Sequence, residues 1–268
     1  MTISIVTATF NSAATIKDAM QSVLNQTFGN WEHIIVDGAS TDGTMAIVKE
    51  YEPLYNGRLK YISKPDKGIY EAFNTGIEIA SGQIVGILNS DDFFTSDDVL
   101  SHLHDALENH PELDAVYGDV HYINAKNPNK CIRYYSSAGF RRWKMFFGFQ
   151  PAHPSFYCHK HIYMRFGAFD TNFPVAADFE NLLRLIYIHR IKTLYIPVDC
   201  VTMRVGGAST SGLKSHVHIL RDHLKAYSKN GVRSNIVFDC SRYIFKICSI
   251  MIQRLFPVNN PTTTYAEH

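Results

Sequence analysis

Two adjacent carboxylates, Asp91 and Asp92, follow directly on an apolar run in the stretch Ile87-Leu88-Asn89-Ser90-Asp91-Asp92-Phe93. Side by side they repel one another and need a compensating cation. A hard divalent ion such as Mg²⁺ or Mn²⁺ meets that need through oxygen ligands and leaves positions for phosphate oxygens. Such an ion bridges a nucleoside diphosphate and neutralises the charge that develops as it leaves. The plainer reading is an acid-rich helix start, since Asp97 and Asp98 follow closely. Three more polar sets stand at comparable places: Thr7-Ala8-Thr9-Phe10-Asn11, Asp37, and Lys64-Pro65-Asp66. Taken singly, Asn11 and Asp37 read as helix caps. Taken together, the four sets read as one site.

What brings them together is the pattern between them. Ile3 to Ala8, His33 to Val36, Leu59 to Ile62 and Ile84 to Leu88 are short buried-strand runs. Between them, apolar residues recur at helical spacing: Ile16, Ala19, Met20, Val23 and Leu24 after the cap candidates Asn11 and Ser12, then Met45 and Val48. Ile69, Ala72, Phe73, Gly76, Ile77 and Ala80 form the next face, and Val99, Leu100, Leu103 and Leu107 the last. This alternation predicts an α/β fold, a mostly parallel sheet with helices on both faces. Ligands bind such sheets beyond the carboxyl ends of the strands, where the four polar sets lie. Past residue 115 the pattern loosens. A strand over 115–123 precedes a long irregular loop with short strands at 125–150. Short helices at 159–166 and 178–189 follow, then a strand at 193–204, a Gly206-Gly207 break, and helix from about 213 to 256.

The segments TATFNSAATIKDAMQSVLNQTFGNWEHIIVDGASTDGT, KPDKGIYEAFNTGIEIASG and ILNSDD, in that order, resemble bacterial family 2 glycosyltransferases. The resemblance covers residues 1 to about 115 closely and about 150–210 more loosely. It implies a GT-A, Rossmann-like fold and metal-dependent, inverting transfer of a sugar from a nucleotide diphosphate sugar to a hydroxyl. It divides the chain into a nucleotide-sugar-binding half (1–115), an acceptor-binding and catalytic-base half (116–212) and a helical C-terminal extension (213–268). By resemblance, Asp37 accepts from the imide N–H of the nucleobase, which suits uracil and also guanine, so a UDP-sugar is the first expectation and a GDP-sugar the second. Thr7, Ala8 and Phe10 line the base, with Asn11 and Asp66 in the same nucleotide-sugar set. Asp91 lies near ribose and metal, and Asp92 is the main ligand of Mn²⁺ or Mg²⁺. Gly68 lets a helix start approach the sugar nucleotide, while Asn74 faces either the site or a neighbouring loop.

The resemblance also places the general base, in Phe173-Pro174-Val175-Ala176-Ala177-Asp178. Asp178 holds the base position, although Ala177 stands where the family has an acid. An acceptor hydroxyl is a poor nucleophile until its proton is taken, so one carboxylate is required there. The plain reading of Asp178 is an N-cap. His153, in Pro151-Ala152-His153-Pro154-Ser155, is a candidate contact to acceptor or diphosphate, or simply a packed histidine. Arg184 either pairs with an active-site acid or answers the helix dipole. Gly206-Gly207-Ala208-Ser209 reads as a loop over the diphosphate, and His216 or His218 as a third metal contact.

Other functions fit less well. The net charge of +1 gives no footprint for nucleic acid. A dinucleotide oxidoreductase needs GxGxxG after the first strand, and TATFNSAAT has no glycine; a sugar-nucleotide pyrophosphorylase needs a basic Gly-rich loop there. A processive synthase needs a QxxRW box, but Gly139 stands three residues before Arg142-Trp143. A non-catalytic nucleotide-sugar-binding module is the alternative that Ala177 raises. Five cysteines without a CxxC pair, and a first strand that starts at once, set the expectation of a cytoplasmic protein. Residues 213–256 carry eight basic and two acidic side chains, net +6. Asn235, Asp239, Arg242, Lys246, Ser249 and Gln253 form a polar stripe opposite a wide apolar face. Such a helix lies on an anionic membrane, or packs on its own domain or a second subunit of a homodimer. The first reading suits a polyprenyl-diphosphate-linked saccharide acceptor at the inner face of the cytoplasmic membrane.

Overall fold

A computed structural model describes residues 1–124, 127–205, 213–242 and 251. The β-branched runs are strands: β1 (Ile3–Thr9), β2 (Trp31–Asp37), β3 (Leu59–Ser63) and β4 (Ile84–Ile87). The helical-period segments between them are α1 (Ile16–Leu24), α2 (Thr44–Tyr51) and α3 (Ile69–Ile79). Further on come β5 (Phe93–Phe94), α4 (Val99–Asn109), β6 (Ala115–Asn124), β7 (Asn127–Tyr135) and β8 (Tyr157–His159). The chain continues through α5 (Lys160–Phe166), α6 (Ala177–Leu182), β9 (Thr193–Arg204), α7 (Leu213–Lys229) and α8 (236–242).

All nine strands join one sheet in the order β3-β2-β1-β4-β8-β6-β9-β5, with β7 beside β6. The pairs β1–β2, β1–β4, β2–β3 and β6–β9 are parallel. β8 runs antiparallel between β4 and β6, while β5 and β7 are antiparallel partners of β9 and β6. Strand order reverses between β1 and β4, which opens the ligand crevice at their carboxyl ends.

Alternate strand residues feed two cores. Val6, Ile34 and Val36 pack with Ala72, Phe73 and Ile77 of α3. Ile5 and Ile35 point the other way, to Ile16, Met20 and Val23 of α1 and to Leu100 and Leu103 of α4. Gly76 is what lets α3 lie close on β1, because a Cβ there would sit 2.2 Å from Val6 Cγ1. Two polar groups are built into these layers. His33 bridges Thr7 Oγ1 at 2.9 Å and the Tyr55 hydroxyl at 2.8 Å, and burial pushes its pKa down to about 3, so the ring is neutral. Glu32 binds Ser4, Ser81 and Lys60.

Three sequence expectations change. Asn11 and Ser12 do not cap α1, whose N-cap is Thr15; Asn11 takes a positive φ of 50° and accepts from the Thr41 N–H. The stretch at 125–150 contains the nine-residue strand β7 and a 3₁₀ turn over Arg142–Phe147, because a long β6 offers an edge to pair with. The helix expected over 213–256 breaks after Lys229, with Gly231 at φ 66°. In α8 the polar residues Asp239 and Arg242 turn inward onto His223, leaving Ile236 and Val237 outside. Residues 243–250, 252–256 and the Gly206-Gly207-Ala208-Ser209 loop lie outside the described residues.

Candidate active site

β1 and β2 end level, Thr9 opposite Asp37, and β3 sets Ser63 opposite Asp37. The buried Asp37 carboxylate accepts from the Ser40 hydroxyl, from the Ser40 N–H at 3.0 Å and from the Ser63 hydroxyl at 2.6 Å. These donors hold a buried charge in one orientation. The next residue, Gly38, is a point of convergence. A Cβ there would lie 3.0 Å from Asp66 Oδ2 and 3.4 Å from the Phe10 ring. Phe10 is 64% exposed, a flat apolar surface left open beside two carboxylates. Asp66 accepts from the Gly68 N–H at 2.9 Å, and Gly68, at φ 131°, starts α3 in a conformation that a side chain would strain.

Thr7 and Ala8 are buried, and the Thr7 hydroxyl is spent on His33. Of the residues expected to line the base, Phe10 is exposed at the crevice, while the Thr7 side chain is not. Asn11 ties its loop to Ser40 and Thr41, and Asn74 clamps both backbone groups of Phe169 at 2.8 Å, the loop-facing alternative.

The Asp91-Asp92 pair follows β4, across the switch point. Asp92 is 2% exposed, and Asn89 donates to its Oδ2 at 2.8 Å. Burial, then the charge of Asp91, pushes its carboxyl up to about 7, against the pull of Asn89 and Arg204. An under-neutralised carboxylate pair of this kind has the chemistry to hold a hard divalent cation through its oxygens. Among the described residues no group of three His, Cys, Asp or Glu side chains gathers, so His216 and His218 complete no such set. Arg204, at the end of β9, donates to the Asp91 carbonyl at 2.6 Å, pairs with Asp18, and lies over the Phe93 ring.

A cavity of about 600 Å³ extends from Met203 and Tyr122, and Asp178 stands in its wall. Asp178 sits in the first turn of α6, where Gln150 donates to Oδ2 at 3.1 Å and the Tyr70 hydroxyl approaches Oδ1 at 3.4 Å. Burial and the Asp178 charge hold the Tyr70 hydroxyl well above its usual pKa, and its proton goes to the Val175 carbonyl at 2.5 Å. Ala177 is fully buried, where an acid would need a partner of its own. His153 also lines the cavity, stacked against Phe73 with centroids 6.1 Å apart. Burial lowers its pKa while the Asp178 charge opposes. Two buried atoms of wall residues, Arg133 Nε and Gln150 Oε1, have no hydrogen-bond partner among the described residues.

Arg184 is not among the residues that line this cavity. Its guanidinium is spent on Glu180 and the carbonyls of Phe166, Gly167 and Ala168, which makes it a strut for the loop after α5. Tyr70, Gln150 and Arg204 were not expected from the sequence. Tyr70 lies two residues past Gly68 and Arg204 two before Gly206-Gly207, so both carried a positional signal. Gln150, in the irregular stretch, carried none.

Residues 4–173 match Glycosyl transferase family 2, and the chain belongs to that family. It is a glycosyltransferase of GT-A fold. It is 27% identical over 234 residues to a PGL/p-HBAD biosynthesis glycosyltransferase of Mycobacterium bovis, covering 87% of this chain and 88% of the relative. An uncharacterized glycosyltransferase of Mycobacterium tuberculosis is 29% identical over 217 residues, 80% of this chain and 78% of its own. The fold is shared with S. aureus TarS 1–349 in complex with UDP-GlcNAc, at a TM-score of 0.68 and 16% identity, over 87% of this chain and 68% of that one. Against the longer TarS structure the chain spans 44% of the partner's length. Mannosyltransferase PcManGT from Pyrobaculum calidifontis, in complex with GDP-Man and Mn2+, gives a TM-score of 0.60 at 15% identity over 96% and 88% of the two chains.

Proposed function

We propose that this glycosyltransferase moves a sugar from a UDP-sugar to a hydroxyl of a saccharide held in the cavity, with inversion and with Asp178 as general base. The observation that carries this is the Asp178 carboxylate in the cavity wall, oriented by Gln150. It takes the proton of the acceptor hydroxyl. The freed oxygen attacks the anomeric carbon from the face opposite the diphosphate, the bond from that carbon to the diphosphate oxygen breaks, and the nucleoside diphosphate leaves. Asp37 receives the imide N–H of the base, and Phe10 stacks on its ring. Asp92 and Asp91 would hold a Mn²⁺ or Mg²⁺ ion, which would neutralise charge on the leaving diphosphate.

TarS and PcManGT are complexed with UDP-GlcNAc and GDP-Man respectively. The Asp37 acceptor suits either base, and uracil is the reading adopted. The acceptor is proposed to be a lipid-linked saccharide of surface polysaccharide synthesis, met by a peripheral enzyme at the inner face of the cytoplasmic membrane. The first support is the mixed wall of the cavity, where Tyr122, Tyr135 and Phe140 alternate with Arg133 and Lys144. Among the described residues no helix is long and apolar enough to cross a membrane. A thermal-shift panel of nucleotide sugars with Mn²⁺ tests the donor. UDP-sugars should raise the melting temperature most, and an equal rise with CMP- or ADP-sugars would contradict the assignment.

A further inference from the structure

The chain has two tryptophans with opposite surroundings: Trp31 is buried in the sheet, and Trp143 is 59% exposed. Trp143 lies on the 3₁₀ turn Arg142–Phe147, and its ring meets Phe147 edge-on at 5.9 Å. Phe147 in turn meets Phe238 of α8 at 5.5 Å, and Phe146 meets Phe238 at 5.0 Å. The turn and the helix thus share one apolar surface. On α8 it continues through Ile236 and Val237, which are 50% and 72% exposed.

α8 is inverted relative to a helix packed for water, whose polar face is outside. Its acid Asp239 is wholly buried, bound to His223 Nδ1 at 2.7 Å and 3.3 Å from Arg242. Gly148 makes room for this arrangement, since a Cβ there would come within 2.3 Å of Asp239 Oδ1. The polar groups clamp α8 to the body, and its apolar residues are what it presents outward.

The sequence run that carries the turn has charge of one sign. Residues 120–169 contain eight Lys and Arg and not one Asp or Glu. Arg141 and Arg142, both exposed, adjoin Trp143. Together with Arg190, these three residues wall a second cavity, about 790 Å³, and no acidic side chain is among its lining residues. The surface also borders the acceptor cavity, whose wall includes Phe140, Lys144, Gly148 and Arg242.

An aromatic-aliphatic patch rimmed by arginines has the composition of a surface that lies in lipid headgroups. A two-fold contact between copies of this chain would set the basic rim near its own copy, like charge on like. We propose that the 3₁₀ turn Arg142–Phe147 and α8 together form a docking surface for an anionic bilayer. Trp143, Phe147, Ile236 and Val237 enter the interface, and Arg141, Arg142 and Arg190 receive headgroup phosphates. Docked in this way, the enzyme holds the mouth of its acceptor cavity at the bilayer. The inference deepens the proposed membrane location; its argument depends on neither the donor nor Asp178.

Flotation of the full chain with vesicles tests it, using phosphatidylcholine alone and phosphatidylcholine with phosphatidylglycerol. The protein should float with the anionic vesicles only, and less at high salt. Trp143→Glu with Val237→Glu, and separately Arg141→Gln with Arg142→Gln, should each lower the bound fraction about tenfold. Both pairs should keep wild-type UDP affinity by calorimetry and a wild-type melting temperature, and Asp178→Asn should float as wild type does. Absence of flotation, or variants that float equally well, would overturn the proposal while leaving UDP binding and turnover intact. A concentration-dependent dimer that Trp143→Glu dissociates, without flotation, would also overturn it and assign the surface to a second copy.

Discussion

Gln150 donates its side-chain amide to Asp178 Oδ2 at 3.1 Å, while its own Oε1 is buried without a partner among the described residues. The amide nitrogen of Gln150 therefore orients the Asp178 carboxylate. Gln150→Leu, close in volume, should lower kcat by about tenfold to a hundredfold, since the Asp178 carboxylate loses the donor that orients it. Gln150→Glu should be worse, because it sets like charges side by side. A loss confined to stability, with kcat unchanged, would reduce Gln150 to a packing residue.

Asp37 is fixed by Ser40 and Ser63 before any ligand arrives. Asp37→Ala should weaken UDP binding by about tenfold to a hundredfold, the cost of one charge-assisted hydrogen bond. Calorimetry decides it: unchanged UDP affinity, or wild-type UDP affinity no tighter than that of CMP or ADP, would remove the basis for a uracil donor.

Asp92 carries the metal prediction. Turnover should vanish in EDTA and return with Mn²⁺ or Mg²⁺, and Asp92→Asn should cost on the order of a hundredfold or more in kcat. Full turnover in EDTA, or a wild-type rate for the variant, would show that neutralisation comes from Arg204 or elsewhere.

Glu32 predicts the acid limit of the fold. Burial alone would raise its carboxyl, but hydrogen bonds from Lys60, Ser4 and Ser81 outweigh it and hold the pKa at about 2. The folded value lies below the ordinary value of 4.5, so the stabilisation is present above about pH 4.5 and is lost as pH falls toward 2. Glu32→Gln should flatten melting temperature against pH across that window; an unchanged slope would mean that other carboxylates set it.

The strand-helix alternation was legible because buried parallel strands are written as short β-branched runs and their helices as apolar residues at a different period. Asp37, Asp91 and Asp92 were legible for a related reason, since the topology directs strand ends to one crevice. The contacts around Asp178 were not. Tyr70 and Gln150 reach it across 108 and 28 residues, and nothing local marks such a meeting. Arg184 looked like a candidate because it follows Asp178 on the same helical stretch, but the loop carbonyls at 166–168 take its donors. The C-terminal polar stripe left open whether the helix meets a membrane or packs on protein; in α8 its Asp239 turns inward because buried His223 gives it a partner there.

The central claim is that Asp178 takes the acceptor proton, and Asp178→Asn tests it most directly. The variant should bind UDP as wild type does and fall in kcat by roughly a hundred to ten thousandfold. A variant that transfers sugar at the wild-type rate would contradict the account and send the search for the base to another group of the cavity wall.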